Sequence, residues 1–222
     1  MRIPSKEQLL TRRVNKQGQV IYLLGTLHTT HINHEPYSLW HIKAIIQHLK
    51  PNVVLVESRP EELAKDNWGD GPVEMPFASR VALSLGIEAR GMDWWRKEDL
   101  FLDLTVRDDH MVQNVINSMA EHHSGLVLTG YSHLVGFKKR LQQAGYSVKR
   151  MERAEKQALF DLSDVEKTFP RKLKHYLQKR IDLEKEKLQN EADVNWQERL
   201  QSVIDTRQHY LEVVKQIGEV PS

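Results

Sequence analysis

The chain has 222 residues, 40% hydrophobic and 28% charged, which is enough for one sizeable core with an appendage or for two small domains. A formal net charge of +2 is too small to argue for nucleic acid or a membrane surface, and no nucleic-acid partner is expected. With no cysteine, disulfide and thiol chemistry are excluded, and any metal must be held by nitrogen and oxygen ligands.

The longest apolar runs are strand-sized, and the opening residues, Met1 to Glu7, carry no signal h-region. No membrane partner is expected, and the expected compartment is the cytosol. Residues 9–14 read as a strand, residues 15–18 as a turn ending in Gly18, and residues 19–24 as a second strand. The stretch Val20-Ile-Tyr-Leu-Leu-Gly-Thr-Leu-His28 then breaks off at Gly25 and presents His28. Glycine tolerates positive φ, so a sharp turn is expected there. His31, His34 and Pro36 follow in a loop, and apolar residues at 39, 42, 45, 46 and 49 predict a helix capped by Ser38.

Val53-Val-Leu-Val56 is a short continuous apolar run, as a strand buried on both faces requires, and it ends at Glu57. Residues 59–72, rich in Gly, Asp and Pro, predict a mobile loop bordering the cleft. A helix over 77–85, a strand over 87–92 ending at Asp93, and a helix over 104–122 come next. Arg107 lies near the start of that helix. A second strand followed by Gly-x-x-His occurs at Leu126-Val-Leu-Thr-Gly-Tyr-Ser-His133. A helix over 134–144 and a strand over 146–149 complete an order of hairpin, then alternating helices and strands. That order predicts an α/β fold with a mixed, largely parallel sheet flanked by helices.

Composition changes after Arg150, which suggests an α/β domain over 1–151 and a helical extension over 152–222. Ser163 to Glu166 fits a capping box before a short helix that Pro170 breaks. Two amphipathic helices, over 171–189 and 196–217, then form a hairpin that packs on the first domain or on a partner, a second copy included.

In a parallel sheet His28, Glu57 and His133 all fall at strand carboxyl ends, the edge where open α/β sheets bind ligands. Two imidazoles and a carboxylate are a ligand set for Mn²⁺, Co²⁺ or Zn²⁺, and an arginine beside them suits a carboxylate or an oxyanion. His31 and His34 read as structural, and His110, His122 and His123 as solvated helix positions. Asp93, which ends a strand, reads as a cap for the next helix, with a place in the site as the weaker alternative. Trp68, Trp94 and Trp95 suit either a pocket floor or the core.

The opening around residues 9–28, the proline-led strand ending in Glu57, Arg107-Asp108 on a helix, and Val127-Leu-Thr-Gly-Tyr-Ser-His-Leu-Val-Gly136 together resemble the TraB, PrgY, GumN and Tiki group. The wider clan takes in erythromycin esterases and ChaN-like haem-binding proteins. The resemblance implies a metal-dependent hydrolase of peptide or other acyl bonds. His28 and His133 would bind a divalent metal ion, Glu57 would be a ligand or the general base, and Arg107 would hold the substrate or steady the oxyanion. The alternative that it implies is a non-enzymatic binding protein for a peptide, a signal molecule or haem.

Overall fold

The computed structural model describes residues 4–32, 34–65, 72–94, 104–217 and 219–220. The chain forms two compact units, residues 1–165 and 166–222. The boundary thus falls at Val165 and Glu166, later than the composition change at 151. The cause is helix α7 (Arg153–Leu159), which packs within the first unit against α1 (Lys6–Leu9) and α2 (Leu39–Leu49).

The first unit is α/β. Its mixed sheet runs in the order β4-β3-β5-β2-β1-β6. The strands are β1 (Leu10–Val14), β2 (Val20–Thr26), β3 (Val53–Val56), β4 (Glu88–Gly91), β5 (Ser124–Gly130) and β6 (Ser147–Lys149). β1 is antiparallel to both β2 and β6, while β2, β5, β3 and β4 are parallel neighbours. Every residue of β3 is buried, and so are Leu126 to Leu128 of β5. This is the continuous apolar reading of central parallel strands. Helices α2 and α4 (Glu74–Ser84) pack together, as do α5 (Leu104–Met119) and α6 (Leu134–Gln143). With right-handed crossovers, the reversal of strand order after β4 puts these pairs on opposite faces of the sheet.

Three local expectations differ from what forms. The helix expected from residue 77 starts at Glu74, which brings a carboxylate into the core. Residues 163–166 form no helix, and the helical turns lie earlier, in α7. The segment 59–72 opens with a short helix, α3 (Pro60–Ala64), and residues 66–71 lie outside the described residues, as do Trp68 and Trp95.

The second unit holds α8 (Arg171–Asn190) and α9 (Val194–Ile217), which pack as a hairpin, and a short parallel pair of β7 (Phe169–Pro170) with β8 (Glu219–Val220). Buried Glu184 on α8 meets Arg207 on α9 at 3.0 Å. Among the described residues no helix is long and apolar enough to cross a membrane.

Gly91 ends β4 where the chain passes very close to the backbone after β3. A Cβ there would lie 2.5 Å from Ser58 O and 2.8 Å from Pro60 N, both main-chain atoms that have no easy retreat. Gly91→Ala should therefore destabilise the first unit by about 1–3 kcal/mol. Urea unfolding checks this, and an unchanged midpoint would show that the α3 segment yields freely.

Candidate functional site at the strand ends

The sheet register brings the two Gly-x-x-His segments side by side. Gly25 pairs with Thr129 and Thr26 with Gly130, so β2 and β5 end together. The glycines, however, do not make the turns. Neither Gly25 nor Gly130 has a positive φ; the left-handed residue is His28 itself, at φ 55°. A non-glycine residue there is uncommon and costs about 1–3 kcal/mol unless its surroundings hold it. The glycines instead permit close approach. A Cβ on Gly25 would lie 2.5 Å from Leu134 Cδ1, and one on Gly130 would lie 2.7 Å from His28 Cε1 and 2.9 Å from His28 Nε2.

Glu57 is the centre of the constellation and is buried. Its Oε2 accepts hydrogen bonds from Thr129 Oγ1 at 2.8 Å and from the Gly130 N–H at 2.7 Å. Its Oε1 accepts from Arg107 Nη2 at 2.9 Å and faces His133 Nε2 at 3.6 Å. The carboxylate from β3 thus ties the end of β5 to helix α5. Arg107 also grips Asp93, through Nε at 3.0 Å and Nη2 at 2.7 Å. Asp93 therefore belongs to the site as a partner of Arg107. Three of the five guanidinium N–H donors are engaged in this way. Among the described residues, the two on Nη1 have no partner.

Each of the two histidines is backed by a carboxylate that sequence reasoning missed. His133 Nδ1 lies 2.6 Å from Asp108 Oδ1, and His28 Nδ1 lies 3.3 Å from Glu74 Oε1. A carboxylate only accepts, so the proton of each bond sits on Nδ1 and each neutral ring keeps a lone pair on Nε2. Both Nε2 atoms turn toward the Glu57 end of the sheet. His133 is buried, whereas the His28 side chain is about half exposed, at 47%. Asp108 was visible as the neighbour of Arg107, but nothing marked it as a histidine partner. Glu74 had no signal beyond a single acid in the apolar run Val73-Glu-Met-Pro-Phe77.

The electrostatics follow from these pairs. The hydrogen bond to Glu74 raises the His28 pKa above 6.5 against the opposing effect of burial. Burial is the largest single influence and would push the Glu74 carboxyl up, but the bond with His28 and the charges of His31 and His28 together hold it below its ordinary value. His31 is structural, as expected. Its Nε2 accepts from the Leu27 N–H at 2.7 Å and its Nδ1 donates to Tyr37 O at 2.7 Å, which requires one neutral tautomer. Burial accordingly lowers its pKa. The Tyr37 hydroxyl donates a hydrogen bond to Gly25 O at 2.8 Å, so the His31 turn is pinned to β2 just ahead of His28. His110 stacks on Trp94 with ring centres 3.9 Å apart.

The set of two imidazole nitrogens and a carboxylate suits a divalent cation in kind, and carboxylate-backed Nδ1 protons are the usual support for metal-binding histidines. The arrangement does not fit one in place. Arg107 occupies the Glu57 oxygen that faces His133, and among the described residues no group of three or more acids and histidines is gathered closely enough to hold an ion. A base or ligand role for Glu57 requires Arg107 to leave Oε1.

Two outcomes test this geometry. The His28 imidazolium should persist above pH 6.5, and Glu74→Gln should bring its titration down, because the largest raising influence is removed while burial stays. A pair whose histidine pKa is raised on folding stabilises the fold below the unfolded value, and that stabilisation is lost as pH rises through the folded value. Ring-proton NMR titration of both proteins reads the order, and an unmoved His28 would show the pair to be incidental. Glu57→Gln must turn an NH₂ toward either Arg107 or the Gly130 N–H, so it should cost about 1–3 kcal/mol in urea unfolding.

No protein-family model, curated protein or solved structure matches the chain, so its function is read from the geometry of this strand-end centre.

Proposed function

We propose that the chain is a hydrolase of peptide or other acyl bonds, with His28 as its general base. The observation that carries this is the His28–Glu74 pair. An acid at 3.3 Å fixes the ring, holds the proton on Nδ1 and leaves Nε2 as a lone pair at a half-exposed surface. Nε2 takes a proton from water as the oxygen attacks the acyl carbon, and Glu74 stabilises the imidazolium that forms. The proton is then returned to the leaving group. The two unpartnered N–H groups on Arg107 Nη1 serve the developing oxyanion, while its other donors keep Glu57 and Asp93 in register. That the positions singled out by the resemblance to the TraB and Tiki group lie at one strand end supports the same reading.

A second reading keeps the metal. His28 Nε2 and His133 Nε2 would hold a divalent cation with Glu57, once Arg107 had withdrawn from it. The carboxylate-backed rings favour this version, and the engaged Glu57 disfavours it.

His28→Ala should lower kcat on a small ester or peptide by about 10²–10⁴. In the wild type kcat/KM should rise with pH, with its midpoint above 6.5, because the working form of a base is the deprotonated one and Glu74 delays deprotonation. Glu74→Gln should move this limb to lower pH. Turnover that survives chelation supports the metal-free version. Turnover that dies with chelator and returns with Mn²⁺, Co²⁺ or Zn²⁺ supports the other. Full activity in His28→Ala removes both.

A further inference from the structure

β4 is the outer strand of the sheet, and among the described residues its outer edge is flanked but not paired. A trough of about 760 Å³ runs along it, with Leu63 of α3 and Leu83 of α4 on one side, Asn114 and Asn117 of α5 on the other, and Ala89 and Gly91 at its base. The Met92 N–H donates to Val56 O at 3.0 Å, which fixes the parity of the strand. Main-chain groups alternate in direction along a strand, so those of Ala89 and Gly91 point away from β3 into the trough. Among the described residues they meet no partner on that side.

The other sheet edge differs. All of β6 is exposed, and it offers Lys149, a usual guard of an edge. At β4 the main-chain donors and acceptors lie between two walls, one with Leu63, Leu83 and Arg80, the other with Asn114, Asn117 and Glu121. Groups of that kind are matched by another main chain in extended form. The strand also leads to the site. Beyond Gly91 and Met92 comes Asp93, whose carboxylate holds Arg107.

We propose that the β4 edge binds an extended polypeptide segment as an added strand, which directs the segment toward the Arg107–Glu57–His28 centre. The pairing stands on the edge alone, and only the further step, that the bound segment is the substrate, rests on the hydrolase reading. Side chains of the added strand alternate between the Leu63–Leu83 wall and the Asn114–Asn117 wall, so the preferred segment alternates apolar and polar residues.

The test uses the full chain and dye-labelled, end-blocked octapeptides of alternating valine and threonine, read by fluorescence anisotropy. Methylating the amide nitrogens of alternate residues should weaken binding at least tenfold in one phase and leave it nearly unchanged in the other. Ala89→Pro, which removes one outward N–H at an edge where proline is tolerated, should also weaken it at least tenfold. Amide exchange at Ala89 and Gly91 should slow when the peptide is added to the wild type, a readout that does not depend on how the variant folds. Absent binding at millimolar peptide, affinity blind to the phase of methylation, or unprotected amides would each overturn the proposal. A dimer in sedimentation that Ala89→Pro dissociates would overturn it in favour of a second copy as the occupant. Turnover of p-nitrophenyl acetate separates the two claims. Ester cleavage without pairing overturns the edge alone, and pairing without any cleavage overturns the hydrolase alone.

Discussion

One buried carboxylate holds this strand-end centre together. Glu57 closes β3, accepts two hydrogen bonds from the end of β5, and receives Arg107 from α5. Arg107 in turn takes hold of Asp93 just beyond β4. Three adjacent parallel strands are thus fastened at their carboxyl ends by a single chain of charge-assisted bonds. Taking such groups out of water costs several kcal/mol per ion, and only close geometry offsets it. Removing one member leaves the others buried and uncompensated, at about 3–5 kcal/mol. Apolar residues of similar volume would hold the strand ends at lower cost. A charged cluster kept at the ligand-binding edge of an α/β sheet therefore points to use in chemistry more than to stability.

The same cluster explains the unusual backbone of His28. Its ring must lie over Gly130 to reach Glu74, and the route from the end of β2 needs φ 55°. Three neighbours hold that conformation: the missing side chain at Gly130, the Glu74 bond at Nδ1, and the His31–Tyr37 lock on the following turn. A ring confined in this way would lose little freedom on acting as the proposed base.

Much of this was legible in the sequence, and the parts that were not share one cause. Continuous apolar runs at Val53–Val56 and Leu126–Leu128 announced buried parallel strands, and paired Gly-x-x-His segments announced a shared edge. Both signals are local. Glu74 and Asp108 become meaningful only when distant segments meet, with Glu74 46 positions from His28 and Asp108 25 from His133. A carboxylate that backs a histidine needs no fixed spacing from it. The roles of Gly25 and Gly130 were misread for the same reason, since close approach depends on what lies opposite and turning depends only on the residue itself. Ser163 to Glu166 has capping chemistry, but no apolar stripe follows to reward a helix, and short helices are marginal without one.

The two edges of the sheet complete the picture. An edge strand exposes a row of donors and acceptors, and a chain that leaves it open invites association. Here the guarded edge, β6, is the one beside the antiparallel hairpin, far along the sheet from Glu57. The walled edge, β4, which is unpaired among the described residues, is the one whose chain continues directly to the carboxylate that holds Arg107. Because β4 is parallel to β3 and β5, its outward amides and the strand-end centre lie in sequence along one direction. A segment laid on β4 would take its extended form from main-chain bonds, and its register from the side chains that meet the two walls of the trough. A strand added there would run toward the same end of the sheet where His28 and Arg107 stand.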